Sequence, residues 1–182
     1  MCERDDSFNP ENAKDARRPP GRDLAQHSSF RSVDIASYVS TRKDDMYQNI
    51  QEIEDVVRKF ESCEYSPADF THARHLTAAA WYLSCMSPAK ALEVMREKLM
   101  HFSEHHGKMG YHETITRFWL DVVGHYLREA GPAEPLTSTV NKLLREYADK
   151  NLLFQHYSRE LVMSELARAQ WIEPDLRDVT HH

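Results

Sequence analysis

Three histidines, His72, His75 and His112, occur among the apolar residues of two predicted helices. At about 100° per residue, His72 and His75 stand about 60° apart on a helix, so two imidazoles can converge beside its axis. From Phe70 to Leu83, one stripe carries His72, His75, Leu76, Ala79 and Leu83; from Tyr111 to Leu127, another carries His112, Ile115, Trp119, Val123 and Tyr126. A buried imidazole with no partner costs about 1 to 3 kcal/mol, so several together need a compensating interaction. A shared metal ion satisfies them at once. Separate hydrogen bonds to hydroxyls or backbone carbonyls do the same one ring at a time.

Further residues would complete such a site. His156, flanked by Gln155 and Tyr157 in an irregular stretch, supplies a fourth nitrogen from a loop, and His106 at the end of a predicted helix competes with it. Glu113 is the candidate base on bound water or the partner that orients a ligand histidine. An acidic residue near a helix N-terminus has an equally direct explanation in the macrodipole. Tyr157 and Tyr111 are candidates for orienting substrate or water. A nitrogen-rich set with one carboxylate suits a divalent zinc, iron or manganese ion better than calcium or magnesium. Zinc would support hydrolysis through activated water, and iron(II) would support oxygen chemistry. The aromatic residues Trp81, Tyr82, Phe118, Trp119 and Tyr126 either line an apolar pocket or form core. His101, His105 and His125 fall on outer helical faces.

The elements that must position these residues are helices. Met46, Ile50, Ile53, Val57 and Phe60 recur at three- and four-residue steps and predict an amphipathic helix over 45–63. Ser66-Pro67-Ala68-Asp69 is a capping serine, an N1 proline and an acidic residue three places on, and predicts the start of a second helix running to about Ser84. Ser87-Pro88 repeats the signal for a third, which stops at Gly107. A fourth runs until Gly131-Pro132, a fifth spans Leu136 to Asp149, and Ser158 caps a short one after an irregular turn. No alternating strand pattern occurs. The expected fold class is all-α: an antiparallel helical bundle of about five helices plus a short C-terminal helix.

Residues 1–44 carry eight basic and eight acidic side chains, few large apolar residues and the breaker cluster Arg17-Arg18-Pro19-Pro20-Gly21. They read as a disordered tail ahead of a helical domain over 45–182. The formal charge of −6 therefore belongs wholly to that domain. An acidic domain with no basic stripe argues against nucleic acid as a partner. No stretch reaches the roughly 20 apolar residues that cross a bilayer, and the start Met1-Cys2-Glu3-Arg4-Asp5-Asp6 is too acidic for a secretory signal, so the expectation is a cytoplasmic protein with no membrane partner. No Gly-x-Gly-x-x-Gly, Walker loop, Gly-x-Ser-x-Gly or His-Glu-x-x-His is present.

The run Phe70-Thr71-His72-Ala73-Arg74-His75-Leu76, the later His105-His106-Gly107 followed by Tyr111-His112-Glu113-Thr114-Ile115-Thr116, and the closing His156-Tyr157-Ser158 resemble segments of a group of small uncharacterised bacterial all-helical proteins. The likeness spans roughly residues 50 to 176, through Trp171-Ile172-Glu173-Pro174-Asp175-Leu176. It implies that these positions form one site and supplies no reaction. The function expected from the residues is a histidine-rich metal site in a helical bundle, with His72, His75, His112 and His156 as ligands, Glu113 and Tyr157 in catalytic roles and a small molecule as substrate. The alternative is a non-catalytic ligand-binding or protein-interaction module whose core histidines are hydrogen-bonded.

Overall fold

The computed structural model describes residues 47–107 and 110–178. By its contacts the chain divides between Asp44 and Asp45, and the segment read as a disordered tail lies outside the described residues. The described part is all-α, with no strand. Its elements are α1 (Ile50–Glu61), α2 (His72–Cys85), α3 (Pro88–His105), α4 (Glu113–Ala130), α5 (Leu136–Glu146), a 3₁₀ helix (Lys150–Gln155), α6 (Arg159–Val162) and α7 (Glu165–Ala169).

Local chemistry explains most of the boundaries. Asn49 caps α1 by accepting from the Glu52 amide at 3.1 Å, while Glu52 Oε2 accepts from the Gln48 amide at 2.7 Å. Ile53, Val56, Val57 and Phe60 form its buried face. The helix closes in a Schellman arrangement, with Glu64 N–H on the Lys59 carbonyl at 2.9 Å and Cys63 N–H on that of Phe60 at 3.1 Å. Cys63 there takes a φ of 56°, a left-handed position more usual for glycine.

The Ser66 cap forms, but it closes one turn instead of opening α2. Ser66 Oγ accepts from Asp69 N–H at 3.2 Å and donates to the Asp69 carboxylate at 2.6 Å. Phe70 then turns inward to stack on Phe60 at 4.3 Å between centroids and to meet Phe102 at 5.2 Å. That aromatic anchor outweighs the helix-start signal, and α2 begins two residues later with Thr71 as its cap.

α2 packs against α1, α3, α4 and α5, which makes it the central rod. A main core gathers Ile53, Phe60, Leu76, Met95, Val123 and Leu143 from these five helices. Asn141 of α5 ties down the chain ahead of α1, accepting from Tyr47 N–H at 2.9 Å and donating to the Tyr47 carbonyl at 2.8 Å. A second, smaller core joins Phe118 and Val122 of α4 to Leu153, Tyr157 and Val162.

The C-terminal strap, residues 170–177, closes this smaller core through a dense set of bonds. Thr114 Oγ1 donates to the Gln170 carbonyl at 2.8 Å and accepts from Ile172 N–H at 3.2 Å. Tyr157 Oη donates to the Ile172 carbonyl at 2.8 Å, and Asp175 accepts from Ser158 N–H at 2.7 Å. No described helix is long and apolar enough to cross a membrane.

Candidate functional site

A chamber of about 580 Å³ opens where the two cores meet. α2 contributes His72, His75 and Ala79, α3 contributes Met95 and Leu99, and α4 contributes Ile115, Thr116 and Trp119. Phe154 of the 3₁₀ helix, Arg159 of α6 and Met163 close the remaining side. His112 also lines it. Three of the four sequence-predicted ligand residues therefore border one space, each with at least one ring nitrogen already hydrogen-bonded.

His72 occupies the first turn of α2, where its Nε2–H donates to the Tyr147 carbonyl at the end of α5 at 3.1 Å. Its ring meets the edge of Trp119 at 4.5 Å. His75, one turn on, donates Nδ1–H to the Thr71 carbonyl at 2.8 Å and lies 4.0 Å from the Phe70 ring. Burial first of all pushes both imidazoles below their usual pKa, the carbonyl bonds opposing it. Both rings are thus neutral near pH 7, each with one hydrogen-bearing nitrogen committed and one acceptor nitrogen left over.

His112 differs from its expected position. It does not lie on the α4 stripe but precedes it, as the N-cap, with an extended φ of −146°. Its Nδ1 accepts from Ile115 N–H at 3.4 Å while Nε2–H donates to the Val162 carbonyl at 2.8 Å. Both nitrogens are used, so ligation by His112 would cost the cap or the link to α6. Burial holds this ring below its ordinary pKa as well.

Glu113 and Tyr157, the expected catalytic pair, stand elsewhere. Glu113 is 8% exposed and receives a two-pronged grip from Arg96, Nε to Oε2 at 2.9 Å and Nη2 to Oε1 at 2.6 Å. Tyr111 Oη donates to the same carboxylate. Hydrogen bonding from Arg96 keeps Glu113 below the usual glutamate range, and burial of Tyr111 beside it lifts the phenol to about 12. This carboxylate is a charged clasp between α3 and the first turn of α4, with both oxygens engaged. Tyr157 is wholly buried and spends its hydroxyl on the strap.

His156 does not border the chamber. Its Nδ1–H donates to the Arg177 carbonyl at 3.0 Å, and its backbone carbonyl accepts from Leu176 N–H at 3.0 Å. The His156-Tyr157-Ser158 and Trp171-to-Leu176 segments are therefore paired with one another. Among the described residues, no group of three or more His, Cys, Asp or Glu is arranged to hold a metal ion.

The spacing of histidines did not point to the α3 wall, Met95 and Leu99, or to the Phe154 and Arg159 side, where the guanidinium lies 4.3 Å over the Phe154 ring. The inward apolar residues of α3 were the available signal. Comparison of the chain with protein-family models, with curated proteins and with solved structures found no match.

Proposed function

We propose that this domain binds a small, largely apolar molecule in the chamber between α2, α3, α4 and the 3₁₀ helix. The observation that carries this reading is a mainly apolar space of about 580 Å³ whose polar lining, beside the histidines, comes from Thr116, Lys150, Asn151 and Arg159. That volume lies within the roughly 300 to 1,000 Å³ usual for small-molecule sites. Neutral His72 and His75 each offer an acceptor nitrogen, which suits a ligand with a hydroxyl or N–H group on an apolar body. The histidines act here as hydrogen-bonded wall residues, in a binding module without an assigned reaction.

Titration with an alkylbenzene, followed by the fluorescence and side-chain NMR signals of Trp119, tests it. Saturable binding is expected, and Ile115→Trp, which fills the chamber from its α4 wall, should abolish it. Absence of saturation, or binding indifferent to that substitution, overturns the reading.

The convergence of His72, His75 and His112 on one space supports a second reading, a site for divalent zinc, iron or manganese. It would require His112 to surrender Ile115 or Val162 and His75 to use the nitrogen left free by Thr71. Metal analysis of untagged protein separates the two: stoichiometric metal lost on His75→Ala would favour this second reading.

A further inference from the structure

The lining of the chamber is opposite in charge to the domain that contains it. Residues 45–182 carry the formal charge of −6, yet among the described residues no aspartate or glutamate lines this space, whereas Lys150 and Arg159 both do. The lining is also graded. Ala79, Met95, Leu120 and Leu153 are buried, while Lys150 and Asn151 of the 3₁₀ helix and Arg159 of α6 are exposed, so the apolar part is the sheltered one and the cations stand at the rim.

Two contacts locate the charged ends. The Arg159 guanidinium lies 4.3 Å over the Phe154 ring, itself a chamber wall, and this stacking uses its flat face and leaves the N–H edge to bond. The Lys150 ammonium is near enough to His72 to add to the lowering that burial mainly imposes, and it outweighs Asp149, whose carboxylate accepts from Asn151 N–H at 2.8 Å. Neither side chain joins an ion pair or a hydrogen bond among the described residues. Thr116, Asn151 and the three imidazoles, the remaining polar lining, are neutral near pH 7 and place no negative charge beside them.

We infer that the chamber's ligand is an apolar organic acid, held with its carboxylate at the rim by Arg159 and Lys150 and with its apolar body inward against Met95, Leu120 and Leu153. A guanidinium edge offers a carboxylate two parallel donors, and at an exposed rim the acid keeps part of its water, which avoids the cost of burying a charge. The inference names the ligand class of the proposed small-molecule site and rests on that reading.

Titration of the full chain with 4-ethylbenzoate, ethylbenzene and 4-ethylbenzylamine, followed by the side-chain NMR signals of Trp119, tests it. The three share one body and differ in charge. At low salt the benzoate is expected to bind about tenfold tighter than ethylbenzene, the combined worth of two exposed ion pairs, and the amine should bind most weakly, although the net charge of the chain alone would favour it. Added salt should narrow the preference. Lys150→Gln combined with Arg159→Gln should cut it to about twofold or less. Benzoate binding no tighter than ethylbenzene, or a preference that survives in the double variant, overturns the organic-acid site and leaves the chamber reading standing. Failure of all three compounds to bind overturns both. Both substitutions fall at exposed positions, and the wild-type order decides the matter if the variant does not fold.

Discussion

His112 joins two helices through one ring, capping α4 at Ile115 and holding α6 at the Val162 carbonyl. Replacing it with alanine removes an N-cap, about 1 kcal/mol, and leaves a buried carbonyl without its donor, about 1 to 3 kcal/mol more. His112→Ala should therefore lower the stability measured by urea unfolding by about 2 to 4 kcal/mol, whatever ligand or ion is present. A metal-ligand role alone predicts a loss that disappears in metal-free protein. The neighbouring Glu113 gives a second, separable expectation. Its carboxylate is nearly buried and gripped at both oxygens by Arg96, whose own side chain is 40% exposed. Glu113→Gln should destabilise by about 1 to 3 kcal/mol, because the amide cannot accept both guanidinium bonds and Tyr111. Arg96→Met should cost nearly as much, and the double variant less than the sum of the two. Additive losses in a double-mutant cycle would show that the clasp is incidental.

At the level of elements, the links that matter join helix ends to irregular chain. Thr114 sits in the first turn of α4 and holds the strap twice, at Gln170 and Ile172. Thr114→Val keeps the shape and removes both bonds, so it should cost about 1 to 3 kcal/mol and speed hydrogen exchange at the Ile172 amide, while amides in the middle of α2 stay slow. Unchanged exchange at Ile172 would mean that the bonds from Tyr157 and Ser158, with Trp171 packing, secure the strap without Thr114. The helices themselves were legible because apolar period and capping residues are written in side chains: the faces of α1 and α5, Ser87 opening α3, Gly107 and Gly131 closing α3 and α4, and Ser158 opening α6 all lie where the sequence indicates. The start of α2 was not legible, since the pull of Phe70 onto Phe60 and Phe102 depends on residues distant in sequence. Of the four expected ligand histidines, His72, His75 and His112 border one space and His156 does not, and none of their roles was legible. The partners of the first three are the carbonyls of Thr71, Tyr147 and Val162, and a backbone carbonyl looks the same at every position of a sequence. Spacing along a helix also presumes that the residue is in the helix, which His112 is not.

For the whole molecule, these buried rings predict a dependence on pH that runs against the overall charge. With 29 acidic and 23 basic side chains, the chain is negative at pH 7, so protonating histidines as the pH falls reduces net repulsion and by itself would favour the compact state. His72, His75 and His112 act in the opposite direction. Burial depresses all three in the fold, whereas in the unfolded chain they titrate near about 6.5. Above that value both states hold these rings neutral and the full contribution is present. As pH drops from about 6.5 towards the lower folded values, the unfolded chain takes up more protons than the fold, and stability is lost through that window. Once the folded rings are themselves protonated, the loss from them levels off. Glu113 then adds a separate decline below about pH 4.3, where an unfolded glutamate is protonated before the one held by Arg96. The urea midpoint should therefore be flat from pH 8 to about 7, fall as the pH drops below about 6.5, and fall less steeply in His75→Gln, which keeps a polar side chain that cannot titrate. A midpoint that rises over that interval, as the net charge alone predicts, would mean that the rings open to water easily enough to be protonated without disturbing the bundle, and the closed, hydrogen-bonded wall of the chamber would have to be abandoned.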